Sequence, residues 1–171
     1  MGKCIKPLEP PDSLHLKAAE GWFELGNHVE ANEELEKITP TLRVHPDVLE
    51  IRWQIYAKAN KWEPCVDIAR ALIKLAPTRS HGWLHLAYSL RRAKGGGLLA
   101  AQEALSPIAT KFPQEPTIPY NLACYDCQLG NLKEARQWLE KAFNIGDSKR
   151  LKLMALDDPD LKLLWANIGG I

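Results

Sequence analysis

Charge of one sign is what this sequence most conspicuously lacks. Twenty-two basic and 21 acidic residues leave a formal charge of +1. So even a balance gives no electrostatic footprint for nucleic acid or an anionic membrane. Long apolar runs are absent too: no stretch approaches the ~18–20 residues that span a bilayer. Met1-Gly2-Lys3-Cys4-Ile5-Lys6 is followed by Pro7, Pro10 and Pro11. It therefore lacks the apolar segment of a secretory signal, and Lys6 stands where a myristoylation site wants Ser or Thr. The cytosol is the expected compartment. Cysteine is scarce, at Cys4, Cys65, Cys124 and Cys127. In a chain of 171 residues that is no disulfide framework, and the expectation is reduced thiols. An apolar share of 46% and a charged share of 25% suit an ordinary globular core.

What is present is an internal repeat. Ala31, Cys65, Ala101 and Ala135 are small residues 34, 36 and 34 positions apart. Four places after each stand Leu35, Ala69, Leu105 and Leu139; three further on stand Ile38, Leu72, Ile108 and Ala142. Spacings of 0, 4 and 7 define one helical face, so these residues should be buried together. Turn formers precede each anchor: Gly26-Asn27, Asn60-Lys61, Gly95-Gly96-Gly97 and Gly130-Asn131. Glycine or asparagine is wanted where the chain leaves a helix with positive φ. A matching face on the preceding helix carries Ala18, Ala19 and Trp22, then Leu49, Trp53 and Tyr56, then Trp83, Leu86, Ala87 and Leu90, then Leu122, Ala123 and the later Leu129.

A helix–turn–helix unit with a period of about 34 residues resembles the tetratricopeptide repeat (TPR) family. The segment from Tyr120 to Gly146, YNLACYDCQLGNLKEARQWLEKAFNIG, is most similar to that pattern. ALDDPDLKLLW, from Ala155 to Trp165, resembles the ending of many bacterial arrays. There a short helix covers the last repeat, and Leu161, Leu164 and Trp165 would be its buried face. The resemblance implies an all-α, right-handed solenoid of antiparallel helix pairs. Its parts would be an N-terminal extension (1–11), four units (12–45, 46–79, 80–115 and 116–148) and a capping segment (149–171). Departures from the pattern carry their own expectations. Trp53 replaces a small residue and should splay the second unit, and Asp126 replaces an apolar one. The triple-glycine turn should be loose, and Pro107 should kink the second helix of the third unit.

The resemblance further implies a concave groove lined by the first helix of each unit, with another protein or peptide as the partner. Its candidate residues are Glu20, Glu24, Glu50, Gln54, His81, His85, Arg92, Tyr120, Asn121, Cys124 and Gln128. They run from acidic to basic and aromatic, with Arg92, His85, Tyr120 and Asn121 as contacts for an anionic end. Asn121 and Arg92 alone match pieces of the family's carboxylate clamp for heat-shock chaperones, so chaperone binding is not expected. No nucleophile elbow or phosphate loop is present, and the expectation is a non-enzymatic scaffold without cofactor or metal. Two other readings stay open. His81 and His85, four residues apart, have workable zinc spacing, and Cys124-x-x-Cys127 has redox or zinc spacing, though in mid-helix. Self-association through the ends or the convex face is the other.

Overall fold

The structure, a computed structural model, describes residues 5–170, so Cys4 lies outside it. Regular structure among these residues is entirely helical: α1 (Asp12–Glu24), α2 (His28–Lys37), α3 (Pro46–Lys58), α4 (Trp62–Leu75), α5 (His81–Leu90), α6 (Leu98–Leu105), α7 (Thr117–Leu129), α8 (Leu132–Ile145), α9 (Ser148–Asp157) and α10 (Trp165–Ile168). Short 3-10 segments occupy Pro40–Leu42, Ser106–Ala109 and Pro159–Leu164. The chain forms two compact units, Met1–His85 and Leu86–Ile171, and α5 runs through the division.

In the first unit, α1 pairs with α2, and α3 with α4. The repeat anchors of this unit, Ala31 and Cys65, are buried, as are Leu35, Ile38, Ala69 and Leu72. A small residue at the anchor lets the helices cross closely: the Cys65 thiol on α4 lies 3.7 Å from the Trp53 carbonyl on α3, to which it donates. Trp53 is itself buried. Leu16 and Ala19 of α1 join Ala31, Leu35 and Ile38, and Val48, Ile51 and Ile55 of α3, in one apolar cluster. Trp22, expected in that core, is 38% exposed; the cluster draws on α1 only at Leu16 and Ala19, with Phe23 against its edge. The turns use the left-handed region, with φ of +80° at Gly26 and +56° at Asn60. The Asn27 side chain then caps α2 by accepting from the Glu30 amide.

The start of α1 is fastened to the end of α2 by a residue the repeat pattern does not feature. Buried Asp12 accepts from the Thr39 amide (2.6 Å) and hydroxyl (3.1 Å). Asp12→Ala would leave a buried amide without its acceptor. It should cost about 1–3 kcal/mol in denaturant unfolding, and an unchanged midpoint would show that the contact is dispensable.

In the second unit α6 and α8 pack on α7. Ala101, Leu105, Ile108, Ala135, Leu139 and Ala142 are buried. Pro107 does not kink a continuous helix: α6 ends after eight residues at Leu105, and Ser106–Ala109 continues as 3-10. Proline has no amide to donate and disfavours helix at the residue before it. The triple-glycine turn is hydrogen-bonded: the Gly97 amide donates to the Leu90 carbonyl (2.9 Å) and the Gly96 amide to the Ala93 carbonyl. A Cβ at Gly96 would stand 1.9 Å from the Leu90 oxygen. Gly96→Ala should therefore destabilise by about 1–3 kcal/mol, readable as a lower melting temperature. An unchanged value would mean the turn can re-form elsewhere.

Candidate functional site

The groove residues fall into three groups. Glu20 and Glu24 lie one turn apart on α1 and are exposed, while Gln54 on α3 is half-buried. Arg92, just past α5, is exposed and lies over the Tyr88 ring at 3.6 Å. Asn121 is half-buried and Gln128 exposed on α7.

A second group is knitted together in the first unit. One carboxylate, Glu50 on α3, meets two imidazoles on α5. His81 Nδ1 lies 3.0 Å from one oxygen and His85 Nε2 lies 2.6 Å from the other. The histidines share a helix face because they are four residues apart. The His85 ring is stacked on Trp53, with centroids 3.7 Å apart and planes 10° from parallel. Burial alone would raise the Glu50 carboxyl. Hydrogen bonding to His85 and the nearby charge of both histidines outweigh it, so the group titrates below its ordinary value. One turn earlier on α3, Asp47 is paired with Arg79.

The third group is not open groove. α7 is enveloped: Ile118 and every residue from Leu122 to Cys127 are buried, along with Tyr120. Segment Pro159–Leu164 lies along α7, so the cap expected to cover the last repeat covers this helix. Leu161 and Leu164 are buried as expected, and Trp165 is half-buried, its indole N–H donating to the carbonyls of Ala155 and Asp158. Tyr120 donates to Asp158 (3.1 Å), as does Cys124 (3.5 Å). Gln128 donates to the Asp160 carbonyl (3.0 Å). Arg91 clasps the Asp160 carboxylate with both terminal nitrogens and packs near the Tyr125 ring. Sequence reasoning had passed over Arg91, Asp158 and Asp160.

The surroundings of the two thiols bear on the thiol reading. Burial, and then the Asp158 and Asp160 charges, push the Cys124 thiol far up, and burial also raises Cys127. A thiol held protonated is a poor nucleophile and a poor ligand. Cys124, Asp158 and Asp160 do converge closely enough to hold an ion. The Arg91 guanidinium is paired with the Asp160 carboxylate at the same place.

Arg91 also holds the Asp160 carboxyl below its ordinary value, through its hydrogen bonds and despite burial. A depressed folded-state value means stability present above the unfolded value near pH ~4 and lost as pH falls through the folded one. Arg91→Gln should thus lower the melting temperature at neutral pH and by less as the solution is acidified below about pH 4. Glu34, Glu36 and Glu50 are depressed as well, so the difference between the two proteins is the readout. A gap that stays constant with pH would refute the assignment.

No helix among the described residues is long and apolar enough to cross a membrane. No family model matches the sequence, and no curated protein does. Among solved structures, the chain is similar to the crystal structure of a thermophilic TPR protein from Thermus thermophilus. The match has a TM-score of 0.69 and 17% identity, covering 94% of this chain and all of the other. The two units thus carry a TPR-like helical repeat fold, all-α and built of adjacent helix pairs.

Proposed function

We propose that the protein is a non-enzymatic interaction module whose open binding face lies on the first unit, at Glu20, Glu24 and Gln54. The observation that carries this reading is the contrast between the two ends of the expected groove. Tyr120, Cys124 and Gln128 are engaged by residues 158–160, while Glu20 and Glu24 stand exposed one turn apart. An acidic face on rigid helices suits a peptide or protein segment bearing Lys or Arg, at small ordering cost on the repeat side. The thiols add no catalytic chemistry, since burial holds Cys124 and Cys127 protonated and Cys65 rises to about 11.

Selection from a displayed peptide library tests the proposal. Peptides enriched on the wild type should be rich in Lys and Arg. Glu20→Lys/Glu24→Lys, both solvent-facing and harmless to folding, should weaken them at least tenfold. Enrichment of peptides without basic residues, or equal binding by the folded double variant, would refute the assignment of this face. A second reading, self-association, is favoured by exposed Leu153, Met154, Leu156 and Leu163 in the second unit. It predicts a mass that rises with concentration and stays monomeric in Leu153→Lys/Leu163→Lys.

A further inference from the structure

Two helices of this chain carry the same exposed charge pattern, a base followed two turns later by an acid. On α1 the pair is Lys17 and Glu24; on α9 it is Arg150 and Asp157, each pair seven residues apart. Seven residues are close to two full turns, so each pair shares one side of its helix, with about 10.5 Å between its members along the axis. All four side chains are exposed, and none is ion-paired among the described residues. We propose that the partner of the α1 face is a second copy of this chain, its α9 lying antiparallel on α1 with Arg150 against Glu24 and Asp157 against Lys17. This rests on the reading of the α1 face as a binding face, and names the basic segment that it takes.

The equal spacing is what lets both pairs form at once. A parallel approach would set like charges against each other, so the pattern selects the antiparallel one. The third exposed charge on each helix decides between like and unlike faces. It is Glu20 on α1 and Lys149 on α9. Two α1 faces would oppose Glu20 to Glu20, and two α9 faces would leave both Lys149 side chains uncompensated. Unlike faces bring Glu20 and Lys149 to the same contact.

Apolar side chains beside these charges supply area to cover. Leu14 and Leu25 on α1 are 60% and 78% exposed, and Leu153 and Met154 on α9 are 59% and 46% exposed. Their burial drives association, while the charges fix register and orientation. Because the two faces differ, the contact is head to tail. Each copy presents one face of each kind, so assembly continues past two copies unless it closes in a ring.

Light scattering on size-exclusion fractions over a concentration series tests this. The wild-type mass should rise with concentration. Lys17→Glu/Glu24→Lys and Arg150→Glu/Asp157→Arg should each associate at least tenfold more weakly, with helical content unchanged. An equimolar mixture of the two should regain wild-type association, since each reversed face then finds its complement. A wild type that stays a single chain up to about 1 mM would overturn the proposal. So would wild-type association by either variant alone, the sign of a like-face contact, or a mixture no stronger than its parts. Should a variant not fold, the wild type decides by carbodiimide coupling of isotope-labelled with unlabelled chains. Lys17 should be joined to Asp157 in peptide pairs of mixed label, and the absence of such pairs would overturn the contact. A monomeric wild type that still enriches basic peptides would sink this inference alone; loss of that enrichment too would sink the reading of the α1 face beneath it.

Discussion

Removing residues 158–171 will unfold the second unit. Leu161, Leu164 and Ile168 are buried by this segment. At ~1.5–3 kcal/mol for each large aliphatic side chain taken from water, their loss is roughly 5–9 kcal/mol. That is comparable with the whole stability of many domains, ~5–15 kcal/mol. The truncation also strips the cover from α7, leaving Tyr120 and Cys124 without Asp158, and Arg91 without Asp160. Circular dichroism should show a large fall in helix content, and amide exchange should show protection lost on α7 but kept on α1–α3. A cooperative transition at the wild-type temperature would mean that the segment is an appendage. A single substitution, Leu161→Ala, should cost about 2–5 kcal/mol and gives a graded version of the same test.

The second large effect is expected at Asp126, a buried carboxylate in the middle of α7. It accepts from the Gln102 side chain on α6 and from the Asn131 side chain at the start of α8, both at 3.0 Å. Hydrogen bonds to a charged acceptor contribute about 1.5–3 kcal/mol each, and removing one partner strands the other. Restoring the apolar residue the repeat pattern favours, by Asp126→Leu, should therefore destabilise by about 2–4 kcal/mol. Adding Gln102→Leu should recover part of that loss, since the stranded amide is gone, and the double-mutant cycle measures the coupling. If Asp126→Leu were neutral or stabilising, the pair of amides would have to be satisfied by water.

These two regions mark the limit of what the sequence discloses. The helix pairs were legible because their requirements are local. Small residues recur where helices cross, apolar residues follow at 4 and 7, and residues such as Gly26, Asn60 and Gly130 take positive φ. Asp126 could be flagged as a departure, but its partners, 24 residues before it and 5 after, follow no periodic rule. The fold-back of Pro159–Leu164 onto α7 was hidden for a related reason. Leu161 and Leu164 announce a buried face without saying which helix receives it. In contrast, the Glu50–His85 contact was within reach. The two residues are 35 positions apart, about one repeat, and so occupy equivalent places on successive first helices. Trp22 misled because aromatic size suggests burial, while α1 needs only Leu16 and Ala19 inward.

The clasp between Arg91 and Asp160 joins residues 69 positions apart, which has a consequence for how the chain is made. On the ribosome, α1 to α4 can close on neighbours that emerge within a few dozen residues, so the first unit can fold while synthesis continues. α7 can close early on α6 and α8, but the rest of its cover comes later. From the time Leu129 leaves the exit tunnel until Ile168 follows, its apolar side lacks the cover this segment provides. This interval is when the nascent chain is most exposed to aggregation or chaperone capture.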